Sequence, residues 1–455
     1  MSLSSLYNTA RQSLLTFQAA TGVTGQNIAN VETPGYTRRR LTLGTAPVAH
    51  GGVAFHDPRL GVGGGVTGIA LERVRSQVLD RAVRTGRAGS EGAGASAQLL
   101  ATLEGQLAPD GGDGLLGAVA GFYDAWSAVA DAPADRGPRD ALLAAAGHLS
   151  STFNAAHARL GAFAEAAQEE LSTTVDRVNG LMAEIAEING TLSSSDRQGV
   201  SNLNAQDRRD ALLDELSGLV PIQARPEADG TVTVSFGGMA GVQGAEALPL
   251  RLVGPPDASP PEVRAAGASR PLALSSTEGG VLGAQLGLVR DALPGAREAL
   301  DTLTARIVAD VNGLHHTGTG LDGSTGLDLF EPTGTTAGSI RLSPLFPGPD
   351  ALAASGATGQ TGDGSVAAQI AGLGDGAYAS MTDLLAGVGA QARGAFAAAE
   401  ANAAYADHTS ALRDGITKVS LDEEMTQLIR FQQAYAASAR VLQTADSLFD
   451  SLLAI

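Results

Sequence analysis

The chain has 455 residues, a formal net charge of −18 and no cysteine. The acidic balance argues against a nucleic-acid surface, and the missing thiols exclude disulfides, thiol chemistry and zinc–thiolate sites. Apolar residues make up 44% of the chain but aromatics only 4%, so alanine and leucine carry the apolar load, which suits long helices in close contact.

The first element is an amphipathic helix over residues 1–31. Leu3, Tyr7, Ala10, Leu14, Phe17, Thr21, Thr24, Ile28 and Val31 follow one another in steps of four and three. Such a seam is narrow and suits helix–helix contact rather than a deep core. No apolar run has the length of a membrane span, and the N-terminus lacks the basic region and unbroken apolar core of an ordinary secretory signal. Thr33-Pro34-Gly35-Tyr36 then offers proline and glycine at the second and third positions of a type II turn. Residues 37–68 show no helical period and include Gly61 and Gly63-Gly64-Gly65, so they read as a contact loop with a short strand at 40–43. A dinucleotide-binding reading of these glycines fails for want of a strand–turn–helix setting.

Helix is predicted again from Ile69-Ala70-Leu71 to about Leu107, with glycine interruptions between Gly86 and Gly94. A further helix carries Leu116, Val119, Phe122, Trp126 and Val129 and ends at Ala132-Pro133. Past Pro138 comes the longest periodic stretch, from Leu142 through Phe153, Leu160, Leu171 and Ile185 to Leu192. A helix of roughly 50 residues there would be about 75 Å long. A shorter helix follows over 207–219. The period then drops to two: Val220, Ile222 and Ala224, a turn at Asp229-Gly230, and Val232, Val234 and Phe236, which is a hairpin signal. Leu248, Leu250 and Leu252 give a third strand, and Leu272 with Leu274 a fourth. Helix returns over 282–314 with a break or kink at Pro294. Residues 315–365 are loop-like with a short strand at 340–342, and an alanine-rich helix spans 381–412 before an interruption at Gly415.

The last element repeats the pattern of the first. Leu421, Met425, Leu428, Tyr435, Ala439, Leu442, Ala445, Phe449 and Leu452 form a second narrow seam. Ser420 and Glu423 have capping-box spacing, and Asp422, Glu423 and Glu424 favour the positive end of the helix dipole. A lone helix of this kind is marginal in water, so the two ends are expected to pair with each other or with neighbouring copies. The fold class is therefore mainly α with a small β-rich insertion. The N- and C-terminal helices pair as a coiled coil, a bundle of long helices follows, and the β unit lies at the far end. The divisions are 1–33 with 418–455, 34–219 with 281–417 (including the loop 37–68), and 220–280, with 315–365 as a candidate extension of the β unit.

Residues suited to catalysis do not assemble. His315-His316 with Asp322 and Asp328 fall in a loop and on no common helix face, so a metal site there is disfavoured, and no cofactor is expected. One lysine, Lys418, excludes a phosphate-binding loop of the G-x-x-x-x-G-K type. Arg38-Arg39-Arg40 reads as a solvated face ahead of a partner-binding patch. Trp126 reads as core. An assembly subunit fits better than an enzyme or a cytosolic coiled-coil scaffold.

Gln26-Asn27-Ile28-Ala29-Asn30 followed by Thr33-Pro34-Gly35-Tyr36-Thr37-Arg38 resembles the N-terminal signature of the bacterial flagellar axial proteins, the rod, hook and hook-associated set. The stretch from Val419 to Met425, with Phe431-Gln432-Gln433-Ala434-Tyr435, Ala439-Arg440-Val441 and Leu448-Phe449-Asp450, is similar to hook-associated members of that family. Leu149-Ser150-Ser151-Thr152-Phe153-Asn154 and the run from Gln206 to Leu216 are similar as well. The resemblance implies a structural, non-enzymatic subunit at the junction between hook and filament. It would be exported unfolded by the flagellar type III apparatus, held beforehand by a cytosolic export chaperone on its C-terminal segment, and located outside the cell once assembled. Implied partners are other copies in a ring, the hook protein and a second hook–filament junction protein, with neither nucleic acid nor membrane among them. The two stripes give the expected assembly seam as Leu3, Leu14, Phe17, Ile28, Leu421, Met425, Leu428, Tyr435, Leu442 and Phe449, and the proline and glycine positions give the expected turn as Thr33, Pro34, Gly35 and Tyr36. The alternative within the family is another rod or hook component. The short β region leaves little room for a large outer domain.

Overall fold

A computed structural model describes residues 3–46, 65–109, 114–198, 202–254, 261–274 and 279–453. The described chain is mostly helical with small antiparallel sheets. Helix α1 (Leu3–Ala29) leads into a two-stranded hairpin, β1 (Arg39–Thr45) and β2 (Val66–Arg73). The body follows with α2 (Gln77–Leu107), α3 (Leu115–Asp131), α4 (Arg136–Arg197) and α5 (Leu203–Leu219). The β unit comprises β3 (Gln223–Pro226), β4 (Val232–Phe236), β5 (Met239–Gln243), β6 (Glu246–Ala247), β7 (Leu250–Val253) and β8 (Glu262–Ala265). The body resumes with α6 (Gly280–Gly287), α7 (Leu293–His315), α8 (Ser365–Ala371) and α9 (Gly374–Thr417), and the chain closes with α10 (Leu421–Leu453).

Side-chain caps set three of these starts. The Ser76 hydroxyl accepts from Leu79 N at α2, the Asp135 carboxylate from Gly137 N at α4, and the Asn202 amide oxygen from Ala205 N at α5. Pro138 lies inside the first turn of α4, where a missing N–H costs no intrahelical bond. That is why α4, 62 residues long, can begin before the proline.

The structure departs from the sequence reading in several places. Ile69-Ala70-Leu71 belong to β2, where Leu71 pairs with Leu41. A short apolar run does not distinguish strand from helix until its partner is known. The glycines of α2 do not interrupt it. A Cβ at Gly86 would come within 3.2 Å of Ala406, Tyr405 and Thr409, and one at Gly92 within 3.0 Å of the Gly280 backbone. These glycines let α9 and α6 approach closely rather than breaking α2. Helix α9 likewise runs through Gly415 to Thr417, and the break falls at Lys418–Ser420. Leu272 and Leu274 form no strand; Leu272 N bonds Val263 O and its side chain is core. Strands β5, β6 and β8 escaped the reading, and β7 starts only at Leu250, after Pro249. The kink near Pro294 is a π-helical turn over Leu288–Ala292.

Two hydrophobic clusters share α4. The first gathers Leu103 and Leu107 of α2, Phe122 and Trp126 of α3, Leu142 to Leu160 of α4, and α7, α8 and the start of α9. Residues 315–365, offered above as an extension of the β unit, place Leu329, Phe330, Ile340 and Leu352 in this cluster instead. The second gathers Leu171 to Ala186 of α4 with α5, α6 and the inward faces of β4, β5, β7 and β8. Val232, Val234 and Phe236 alternate inward along β4, and Gly230 takes φ 79° in the preceding turn. Two asparagines of α4 pin the sheets. Asn189 donates to Val232 O and Gly244 O and accepts from Val232 N, while Asn179 exchanges both its bonds with the Leu250 backbone.

Candidate assembly site at the chain ends

The two ends lie side by side and antiparallel. The Tyr7 ring meets Phe449 edge-on at 6.5 Å, Phe17 lies 6.4 Å from Phe431, and Asn27 bonds Glu424 across 397 residues of sequence. On α1 the buried line is Ala10, Thr16, Ala20, Thr24 and Asn27. Leu14, Phe17 and Ile28 are half-buried beside it, and the Leu3 side chain lies outside the described residues. On α10 Glu424 and Ala445 are buried, and Leu428, Phe431, Leu442 and Phe449 are half-buried. Leu421, Met425 and Tyr435 are 48%, 49% and 38% exposed, so the contact with α1 does not cover them. Ile429, Val441 and Leu448 are exposed as well. One helix covers one stripe of its partner, and the apolar residues of α10 span more than one stripe.

At the closed end of the pair, Asn27 uses all four of its hydrogen-bonding positions. It donates to Arg39 O at 2.8 Å and Glu424 Oε2 at 2.9 Å, and accepts from Tyr36 OH at 2.8 Å and Arg39 N at 3.0 Å. Its residue is 1% exposed. Glu424, 2% exposed, also accepts from Arg38 Nε at 2.7 Å, and Arg38 N donates to Thr417 O. Satisfied on every side, these buried polar groups fix one arrangement of α1, the turn and α10. The turn has the geometry its residues ask for: Tyr36 N bonds Thr33 O and Gly35 takes φ 79°. Thr33, Pro34 and Gly35 are exposed, and Tyr36 is half-buried.

Beneath this clasp lies a second cluster that the sequence reading missed. Asp207, Asp210 and Asp214 of α5 are spaced three and four residues apart, which puts them on one helix face. Arg39 and Arg73 pair with Asp207; Arg73, Arg75 and Arg84 with Asp210; Arg84 and Arg413 with Asp214. Asp80 pairs with Arg75 at 2.6 Å. Burial pushes the Asp210 carboxyl up, but the Arg75, Arg73 and Arg84 guanidinium groups outweigh it and hold the group below the usual carboxylate range. The hairpin, α2, α5 and α9 are thereby joined by charge. The only advance signal was the carboxylate spacing within the run from Gln206 to Leu216; its arginine partners are scattered from 39 to 413. Of the basic run, Arg38 and Arg39 face inward to these clusters and only Arg40 is exposed, which corrects the solvated-face reading.

The histidines first weighed as ligands have other partners. His315 is 1% exposed; its Nδ1 meets Leu327 O at 2.6 Å and its Nε2 accepts from Ala353 N at 3.0 Å. Burial lowers its pKa to about 4, so the ring is neutral at pH 7. His316 meets Asp328 at 2.7 Å. Trp126 is fully buried and packs edge-on against both Phe122 and His315. Gly61, Gly63 and Gly64 lie outside the described residues.

Residues 100–330 match the family described as the flagellar hook-associated protein FlgK helical domain. Residues 416–455 match the C-terminal family of the flagellar basal body rod proteins FlgEFG. The flagellar hook-associated protein 1 of Bacillus subtilis is 26% identical over 490 residues, covering 98% of this chain and 97% of that protein. The proteins of the same name from Salmonella typhimurium and Escherichia coli are 26% and 25% identical over 72% of this chain. The match spans only 59% and 60% of their lengths. A solved flagellar hook junction protein FlgK from Burkholderia pseudomallei aligns with a TM-score of 0.48 and 23% identity, over 55% of this chain and 46% of that one. Matched over half its length by the helical-domain family and from end to end by the Bacillus protein, the chain belongs to the flagellar hook-associated protein FlgK family.

Proposed function

We propose that this chain is a structural subunit at the junction between hook and filament, assembled through its terminal helices. On this reading residues 1–33 and 418–455 form the assembly unit as a coiled coil. The body (34–219 with 281–417) and the β unit (220–280) stand outside it. The observation that carries the reading is the half-covered state of α10: one stripe faces α1, while Leu421, Met425 and Tyr435 remain exposed on a helix anchored at Glu424. A contiguous apolar face of this kind marks a contact surface. Neighbouring copies in a ring, the hook protein and a second junction protein would cover it in the flagellum, and an export chaperone would cover it before type III export. The family is structural, and the mechanism asks only that this face be buried on assembly.

The test is physical location. The protein should co-purify with hook–filament structures, and a strain lacking it should retain hooks but shed filament subunits into the medium. Its absence from purified hook–filament junctions would overturn the reading. Recovery in the rod or along the hook shaft would favour the other axial positions.

A further inference from the structure

Away from the terminal helices, a polar cavity of about 270 Å³ lies between the first turn of α4 and the loops at 319–323 and 355–363. Its floor is Arg139, Thr319 and Ser355, which are 1%, 7% and 6% exposed. Asp322 and Gln360 stand at its exposed rim.

The floor carries unused hydrogen-bonding capacity. Arg139 Nε donates to Pro133 O at 2.7 Å, and its Nη1 donates to Pro349 O at 3.1 Å and Leu352 O at 2.7 Å. Its Nη2 has no partner among the described residues, and no carboxylate there comes within ion-pair distance of the guanidinium. The Thr319 hydroxyl has no partner among them either, although its backbone N bonds Ser355 O. Neither atom is sealed from solvent, so both are free to donate to an occupant of the cavity. The rim supplies the opposite function. Asp322 accepts from Ser324 N through Oδ1, and its Oδ2 has no hydrogen-bond partner among the described residues. Asp363, by contrast, is saturated by Gly356 N, Ser365 N and the Ser355 and Ser365 hydroxyls.

Charge narrows the occupant. A free anion would meet Asp322 and Asp363, and a cation would meet Arg139. A neutral molecule with several hydroxyls suits all three, accepting from Nη2 and donating to Oδ2. The volume lies just below the range of small-molecule sites, which matches a single sugar ring. We propose that this cavity binds a neutral polyhydroxylated ligand of monosaccharide size, held by Arg139, Thr319 and Asp322. The proposal is independent of the assembly reading.

The test uses the full chain and saturation-transfer NMR with glucose, galactose and N-acetylglucosamine as probes. At least one should receive saturation from the protein. Thr319→Val and Asp322→Asn should each weaken that binding roughly tenfold, the loss of one good hydrogen bond, with an unchanged thermal transition. Arg139 is spared because it holds three backbone carbonyls. Should Thr319→Val disturb the fold, Thr319→Ser keeps the hydroxyl and should keep the binding. Transfer to none of the three probes, transfer unaffected by both substitutions, or a sugar-soaked crystal with ordered water alone in the cavity would each overturn it.

Discussion

Leu149, Phe153 and Leu160 on α4 and Leu428, Leu442 and Phe449 on α10 all lie on helical apolar stripes, spaced by four, seven or twice seven residues. The first three are fully buried and the second three only half-buried. The difference lies in the number of neighbours: α4 is enclosed by α3, α5, α7 and the sheets, whereas α10 has α1. Apolar periodicity therefore reports that a face will be covered, and tertiary context decides whether the chain itself covers it. In the body the stripe supplies stability; at the ends part of it stays exposed.

The joint between the two regions should give the largest effect. Asp210→Ala removes the carboxylate that faces Arg73, Arg75 and Arg84 and leaves three guanidinium groups short of a partner. Breaking a buried pair on one side costs about 3–5 kcal/mol. Urea unfolding should show that loss, and hydrogen exchange should show the hairpin β1–β2 loosening with α5. A loss under about 1 kcal/mol would mean that the cluster is solvated and joins nothing.

A matched pair sharpens the comparison. Leu160→Ala should cost about 3 kcal/mol, because the enclosed site cannot collapse around the cavity. Leu442→Ala should leave the same unfolding transition within about 0.5 kcal/mol, as expected for a site outside the core. Equal costs at the two positions would erase the distinction between them.

His315 gives the body a pH dependence. Its pKa is about 4 in the folded chain against the ordinary histidine value of 6.5. Between those values the unfolded chain binds a proton that the folded chain refuses, so stability falls as pH drops from 6.5 to 4. The slope is about 1.4 kcal/mol per pH unit and the total about 3 kcal/mol; above pH 6.5 the contribution is constant. His315→Gln should flatten that window. An unchanged slope in the variant would assign the effect to carboxylates such as Asp210, whose lowered pKa acts at the acid end of the range.

What the sequence disclosed follows from the range of each interaction. The stripe from Leu142 to Leu192 on α4 and the Val232–Phe236 alternation were legible because period alone defines them. The pairing of the ends was legible because two narrow seams lacked any other partner. Phe431 carries the family resemblance but falls off the four–three steps that define the seam. Asn27 and Glu424 lie in the family-like stretches, yet nothing local marks two polar residues 397 positions apart as a buried pair. The strand at Ile69 was misread because its partner fixed its state. The glycines of α2 were misread because a close approach by α9 looks, in sequence, like a break. The arginines of the joint stayed illegible because charge has no periodicity.

The smallest effect on folding should accompany the largest on assembly. Leu428→Asp with Leu442→Asp places two carboxylates on the half-buried face of α10. The body keeps its two clusters, to which α10 contributes no residue, so its thermal transition should be unchanged. The face, however, can no longer be desolvated, since an unpaired charge taken out of water is strongly unfavourable. Such a protein should fold yet fail to build the junction, and filament subunits should accumulate in the medium. The single variant Leu345→Asp is the control: Leu345 is 85% exposed on a loop of the body, and the same added charge there should change neither property. A double variant that still supports filaments of normal length would show that α10 is not the assembly seam, whatever its sequence pattern.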